Sequence, residues 1–296
     1  MAKTRFRSDS KLTTRMGLVV FLLGALYVGF GALLIAKTGF VIGLVLVVGL
    51  ALGQWYFSDK MALASMRARV VTPEEAPELH GVIDRLCALA DMPKPRVAVA
   101  DTDLPNAFAT GRSPSHAVLC VTTGIMQRLD AEELEGVLSH ELAHVANRDV
   151  AVMTVASSLG LLAGFITRWG LYFGGGRRDS NGGPALIVIW AASIAVYAIS
   201  FVLTRALSRY RELSADRCGA YLTGKPSALA SALVKISGDM GRIPTKDLRK
   251  AESMNAFFFT PAINRDSLSS LIATHPSTEK RLEELSKVAA DLGRPL

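Results

Sequence analysis

Four long apolar runs constrain the fold of this chain more than any other feature of its sequence. They occupy residues 16–36, 40–57, 150–166 and 185–203, and none of them contains a charged side chain. Their lengths of 21, 18, 17 and 19 residues match or approach the roughly 20 apolar residues that a helix needs to cross a bilayer. We therefore expect four transmembrane helices in two hairpins, and a soluble protein is excluded. A mean hydropathy of +0.31 agrees with this assignment.

The first hairpin, 16–57, follows a basic tail over residues 1–15 whose net charge is +4. Basic tails can bind nucleic acid, but a tail placed before an apolar run is more simply a cytoplasmic flank that faces anionic lipid. We expect a lipid bilayer as the partner and no nucleic acid. A cleaved signal peptide is disfavoured, because the first run is long, leads directly into a second span and lacks a convincing small-residue cleavage site.

The charges that flank the apolar runs predict the topology. If the amino terminus is inside, twelve lysines and arginines lie on the cytoplasmic side and four on the other, as the positive-inside rule requires. The four are Lys37, Arg168, Arg177 and Arg178. The last three lie in a glycine-rich loop over 167–183 and count against complete spanning by the second hairpin, 150–203. The number of crossings is even in either case, so we expect both 58–149 and 204–296 in the cytoplasm.

The segment 58–149 has the pattern of a mixed α/β unit, whereas 204–296 is mainly helical by pattern. Residues 96–100 and 116–122 are rich in valine and alternate in polarity, which is typical of strands. The segment 106–111 between them predicts an edge strand.

Two helix starts are readable in the same segment. Thr72 followed by Pro73 predicts one, with a capping hydroxyl and a proline at the first helical position. Asp130 and Glu133 have the spacing of a capping box. They predict the start of a second helix, which continues into the most informative motif of the chain.

That motif is His140-Glu141-Leu142-Ala143-His144. Residues four apart share one face of a helix, so both imidazoles can reach one metal ion, and Glu141 can address a water molecule beside it. This is the H-E-x-x-H arrangement of zinc hydrolases. A catalytic zinc ion needs a third protein ligand, for which Glu212 is the best candidate, and Asp216 can orient a ligand histidine. The spacing alone leaves open an ordinary surface Glu and Asp.

In this order, the motifs resemble the HtpX-type membrane zinc endopeptidases of bacteria, which are gluzincins related to the CAAX prenyl proteases. The resemblance covers nearly the whole chain. It includes both apolar hairpins, the zinc motif, Asn106-Ala107-Phe108-Ala109-Thr110-Gly111, Glu212-Leu213-Ser214-Ala215-Asp216 and Thr274-His275-Pro276-Ser277. It implies a mainly α-helical membrane protein with a small β-sheet, whose zincin-like α+β metalloprotease domain lies in the cytoplasm.

The resemblance also implies roles for individual residues. One zinc ion (Zn²⁺) would be held by His140, His144 and Glu212, with Glu141 as the general base and Asp216 behind a ligand histidine. His275 and Arg281 would stabilise the transition state or hold Glu212. Asn106, Ala107, Phe108 and Ala109 would bind the substrate as an added strand. The role of the apolar cluster 257–259 stays open between lining the cleft and core packing.

The function implied by the resemblance is cleavage of membrane proteins or unfolded polypeptides at the cytoplasmic face of the bacterial inner membrane, in stress-related quality control. One alternative is CAAX-type processing, which in the related family uses a chamber built from more helices than the four expected here. The other is a non-enzymatic membrane scaffold. The intact set of His140, Glu141, His144 and Glu212 argues against a scaffold, because a dead site would be free to lose Glu141.

Overall fold

A computed structural model describes residues 10–38, 52–53, 55–173, 183–240 and 276–296, together with Val45 and Gly49. Most of this described chain is helical. In chain order its elements are α1 (Ser10–Thr38), α2 (Ser58–Ser65), β1 (Arg69–Val70), α3 (Pro77–Ala90), β2 (Arg96–Ala100), β3 (Ala107–Thr110), a 3-10 turn (Pro114–His116), β4 (Val118–Thr122), α4 (Thr123–Arg128), α5 (Ala131–Ala146), α6 (Asp149–Phe173), α7 (Gly183–Thr223), α8 (Pro226–Met240) and α9 (Thr278–Asp291).

Two of the described helices are long and apolar enough to cross a membrane, over Thr13–Leu33 in α1 and Ile187–Thr223 in α7. The apolar part of α6 is shorter, at Asp149–Gly164. The three helices pack together through small apolar clusters, while large side chains such as Phe21 and Ile187 remain exposed on their outer faces. Such apolar surface is typical of contact with lipid. The second apolar run, 40–57, lies mostly outside the described residues.

Helix α7 links the apolar part of the chain to its polar part. It runs without interruption from Gly183 to Thr223, and therefore passes from the apolar run 185–203 directly into the segment that contains Glu212 and Asp216. No proline interrupts α7 beyond its first turn, so nothing in the sequence forces a kink there. One rigid element thus carries both acidic residues.

The four described strands form one mixed sheet in the order β1-β2-β4-β3. Strands β2 and β4 are parallel, whereas β1 and β3 pair antiparallel to their neighbours. The predicted strand at 96–100 is confirmed at the same boundaries, and the predicted edge strand is confirmed as β3. Strand β4 begins at Val118 rather than 116, because Pro114–His116 form a 3-10 turn before it.

The predicted helix start at Thr72 and Pro73 is wrong, since α3 begins at Pro77. The backbone N–H groups of Glu75 and Ala76 both donate to the carbonyl of Thr72, which closes a turn. A residue before proline is driven out of the helical region, and Ala76 has φ −143° and ψ 63°. Pro77, rather than Pro73, therefore takes the first helical position.

Helix α5 lies between the sheet and helices α7 and α8, and it contacts β3. Its apolar residues Val137, Leu138 and Leu142 belong to the main core cluster. Gly219 lets α7 approach α5 closely. A Cβ atom at this position would lie 2.8 Å from Ser139 Oγ and 2.9 Å from the backbone nitrogen of His140. This close approach brings the acidic residues of α7 to the histidines of α5.

Candidate active site

The capping box at the start of α5 forms as predicted. The Asp130 side chain accepts from the N–H groups of Glu132 and Glu133, and the Glu133 carboxylate accepts from the N–H of Asp130. The helix then continues to Ala146 and places His140 and His144 one turn apart. Their Nε2 atoms are 3.1 Å apart, so the two rings converge on one point as the spacing predicts.

Glu212 completes this cluster from α7. Its Oε2 lies 3.7 Å from His140 Nε2, and its Oε1 lies 3.5 Å from His144 Nε2. One atom from each of the three residues lies within 4.8 Å of the other two, the arrangement needed to hold a metal ion. The structure therefore brings together the three residues that the sequence suggests as ligands, although Glu212 is 68 positions beyond His144.

Each histidine is fixed from behind by a carboxylate. His140 Nδ1 lies 2.9 Å from Asp216 Oδ1, and His144 Nδ1 lies 2.5 Å from Asp149 Oδ2. Hydrogen bonds of this kind set the tautomer and the ring orientation of a metal-binding histidine. Asp216 thus occupies the position expected for it, behind His140.

Sequence reasoning missed Asp149. It is the first residue of α6, it is buried, and its other carboxylate oxygen pairs with Arg211. The sequence signal for this contact is weak: Asp149 lies five residues after His144. A chain that leaves a helix by a short turn can place a side chain back against the last helical turn. Arg211 precedes Glu212, so this ion pair joins the start of α6 to the part of α7 that carries a candidate ligand.

The protonation states of the histidines fit a bound cation. Burial lowers the pKa of both His140 and His144 to about 4, so both are neutral near pH 7. A neutral imidazole carries one proton, and the carboxylates at Nδ1 place it there. Both Nε2 atoms then present lone pairs to each other at 3.1 Å. A metal ion would turn this repulsion into two ligand bonds.

The charged groups around the site also favour a bound cation. Among the described residues, the carboxylates are those of Glu141, Asp149, Glu212 and Asp216, and the guanidinium groups are those of Arg211 and Arg281. The acidic groups outnumber the guanidinium groups by four to two, which favours the binding of a cation. The donor set of two imidazoles and one carboxylate is a known catalytic zinc set. The residues therefore fit zinc.

Arg281 lies at the centre of the buried polar network, and it is 2% exposed. Its Nε and Nη2 atoms donate to the two carboxylate oxygens of Asp216 at 2.8 and 2.6 Å. Its Nη1 lies 3.9 Å from Glu212 Oε2. The side chain thus contacts one candidate ligand and the carboxylate behind another. His275 and the cluster 257–259 lie outside the described residues.

Glu141 faces the sheet edge. Its Oε2 accepts a hydrogen bond from the backbone N–H of Ala109 at 3.0 Å, so this N–H points away from β4 and towards the active site. Burial and, after it, the negative charge of Glu212 raise the pKa of Glu141 well above its ordinary value of 4.5. A cation bound at the histidines would oppose both effects, because it favours the ionised carboxylate.

The four residues predicted to bind substrate differ in exposure. Asn106 and Ala107 are fully buried, and Phe108 packs among the apolar residues beneath the sheet. The Asn106 carbonyl accepts from the N–H of Thr122, which continues the pairing of β3 with β4. Only Ala109, among these four, is partly exposed. Its main chain is therefore the part of the strand that is available to a ligand.

Comparison with known proteins agrees with this site. Residues 73–289 match the family model of peptidase family M48. The chain is 59% identical over 295 residues to protease HtpX homolog 1 of Streptomyces coelicolor, covering 98% of this chain and 97% of that protein. It is 54% identical over 294 residues to the protease HtpX homolog of Moorella thermoacetica, covering 96% and 97%.

A more distant likeness extends to a solved structure. Ste24p of S. mikatae aligns with a TM-score of 0.53 at 18% identity, covering 94% of this chain and 66% of that one, which shows a shared fold. The resemblance to the HtpX-type proteases is confirmed by 59% identity over nearly the full length, and the candidate metal-binding residues lie within the matched region. The chain therefore belongs to peptidase family M48, as a membrane metalloprotease of the HtpX type.

Proposed function

We propose that this protein is a zinc-dependent endopeptidase that cleaves membrane proteins or misfolded polypeptides at the cytoplasmic surface of the membrane, in quality control. One observation carries the proposal. The His140, His144 and Glu212 cluster lies beside Glu141, whose carboxylate binds an outward-facing N–H of an edge strand. A metal site, a base and a place for a peptide backbone are thus adjacent.

One zinc ion held by His140, His144 and Glu212 would supply a Lewis acid that polarises the scissile carbonyl and acidifies water. Glu141 would take a proton from the attacking water and pass it to the leaving amine nitrogen. Its buried position beside Glu212 favours the protonated form and so assists the first transfer. Asp216 and Asp149 would hold the two imidazoles with Nε2 free.

The substrate would add to β3 as a further strand. Edge strands present unpaired N–H and C=O groups that can bind an extended peptide with little dependence on its side chains. Ala109 offers such an N–H, and Glu141 occupies it in the free protein. We expect the buried Phe108 and Asn106 to support the strand from within, so that the contacts with substrate come from the main chain near Ala109.

Arg281 is better placed to hold Asp216 and Glu212 than to contact a substrate, because it is buried beneath both. We therefore assign it to support of the ligands. His275 is proposed to act as a donor to the transition state. A non-enzymatic scaffold is not favoured, since the base and the ligand set are complete and adjacent. A CAAX-type processing role is not favoured, since the related family uses a chamber built from more helices than the four apolar runs of this chain.

Zinc analysis and proteolysis together test this function. Protein purified in detergent without chelator should contain one zinc ion per chain and should cleave an unfolded model substrate. A chelator should stop cleavage, and added zinc should restore it.

Glu212→Gln should lose both zinc and activity, because a two-histidine site lacks a charged ligand. The matched control is Glu283→Gln, an exposed acid on α9, which should retain both. Stoichiometric zinc in the Glu212 variant would remove this residue from the ligand set.

Cysteine labelling tests the four-span topology. In a background without Cys87, Cys120 and Cys218, single cysteines at Lys60 and Met240 should resist an impermeant reagent in intact cells and react in inverted vesicles. A cysteine at Gly175, in the loop predicted on the other side, should react in intact cells. Reaction at Lys60 or Met240 in intact cells would exclude a cytoplasmic active site.

A further inference from the structure

An open cleft adjoins the candidate active site. Its lining includes Ala109 and His144 and two arginines, Arg112 and Arg148. The cleft therefore lies at the end of β3, next to a histidine of the candidate active site. A peptide added to β3 would pass this cleft close to the bond to be cut, because Ala109 of β3 and the candidate ligand His144 both line it.

Neither arginine has an acidic partner within the part of the chain that the structure describes. Arg148 is exposed, and its side chain makes no hydrogen bond or ion pair there. The guanidinium of Arg112 lies over the ring of Tyr56, 4.3 Å from its centroid. Stacking of this kind fixes the plane of an arginine and leaves its N–H edge free to bind a carboxylate.

The cleft carries a net positive charge. Asp149 also lines it, but the carboxylate of Asp149 is already shared between His144 and Arg211. The charges of Arg112 and Arg148 are therefore not balanced by this acid. An anionic group entering the cleft would find two guanidinium groups and no free carboxylate among the described lining residues.

The backbone on both sides of the cleft has uncommon geometry. Arg148 has φ 56°, in the left-handed region that favours glycine at the end of a helix. Gly111 has φ 138°, and a Cβ atom there would lie 2.4 Å from the carbonyl oxygen of His116. Gly111 thus allows the sharp turn that leads into Arg112. Both turns place an arginine on the cleft.

We propose that this cleft is a substrate subsite for an acidic side chain. Arg112 and Arg148 would bind the carboxylate of an aspartate or glutamate that lies close to the scissile bond. The inference rests on the proposed endopeptidase function and adds a substrate preference to it. Because the cleft is open to solvent, these ion pairs favour the acidic substrate by roughly 2-fold to 10-fold in kcat/KM.

The test uses the full-length protein in detergent and a set of fluorogenic peptides with one cleavable bond. In each peptide a single glutamate occupies one position near that bond, and a matched peptide carries glutamine there. We expect one position at which glutamate raises kcat/KM by roughly 2-fold to 10-fold over glutamine. This ratio should fall at high salt, since the cleft is open to solvent.

Variants of the two arginines test whether these side chains cause the preference for glutamate over glutamine. Arg112→Gln and Arg148→Gln should each lower the glutamate-to-glutamine ratio, and the double variant should bring it near one. Arg148→Glu should instead favour a lysine peptide. Arg294→Gln, which removes an exposed arginine beyond the end of α9, is the matched control and should keep the ratio of the parent protein.

The remaining outcomes separate three explanations. Chelator-sensitive cleavage with no preference for glutamate at any position would overturn the subsite and leave the endopeptidase function standing. Failure to cleave any peptide would instead count against the function itself. If the arginine variants change only the dependence of activity on anionic lipid in nanodiscs, with the ratio unchanged, the cleft binds lipid headgroups and the proposal is wrong.

Discussion

Replacing Glu141 with glutamine should leave the zinc content unchanged and lower kcat by roughly 100-fold to 10,000-fold. The amide has nearly the same shape as the carboxylate but cannot accept the proton of the attacking water. Its oxygen can still accept from the Ala109 N–H, which Glu141 binds at 3.0 Å. The edge strand should therefore stay in place, and the loss should appear in turnover rather than in binding.

Zinc analysis and steady-state cleavage of an unfolded substrate, performed on the same preparation, measure this effect. Glu132→Gln is a suitable control, because Glu132 lies on the first turn of the same helix and its side chain is 67% exposed. This control should retain both zinc and activity. Near-normal turnover in the Glu141 variant would overturn the mechanism. The variant should also show less self-cleavage during purification.

The parts of the site that lie within one helix could be predicted from the sequence. The capping box of Asp130 and Glu133 marks where α5 begins, and the spacing of His140 and His144 is a property of helical geometry alone. The edge strand was readable because its neighbours are rich in valine and alternate in polarity. Each of these features depends only on residues that are close in sequence, so the sequence pattern is enough to predict it.

Contacts between distant elements could not be predicted in the same way. The spacing of Glu212 and Asp216 shows that they share a helical face, but not that Gly219 lets this face approach His140 closely. Asp149 was missed because its role depends on the turn between α5 and α6, where Arg148 adopts a left-handed conformation. The helix start at Thr72 failed for a related reason, since two prolines compete and tertiary context selects the second.

The second large effect is expected from a substitution in the buried ion pair of Asp216 and Arg281. Asp216 is fully buried and Arg281 nearly so, and two hydrogen bonds join them. Removing one member of a buried ion pair leaves the other charge unpaired in a medium of low polarity, at a cost of about 3–5 kcal/mol. Asp216→Asn should therefore destabilise the protein strongly, in addition to weakening zinc binding by roughly 10-fold to 100-fold through misorientation of His140.

A double-mutant cycle separates these two effects. Thermal unfolding is measured on zinc-free protein for Asp216→Asn, Arg281→Gln and the double variant, with Lys280→Gln as a control on the exposed face of α9. The double variant should lose much less stability than the sum of the two single variants, because neither charge is then left unpaired. Zinc affinity, in contrast, should stay low in both variants that lack Asp216, and excess zinc should restore only part of their activity.

Additive losses of stability would show that the two side chains act independently. Unchanged zinc affinity in Asp216→Asn would show that this carboxylate does not orient His140.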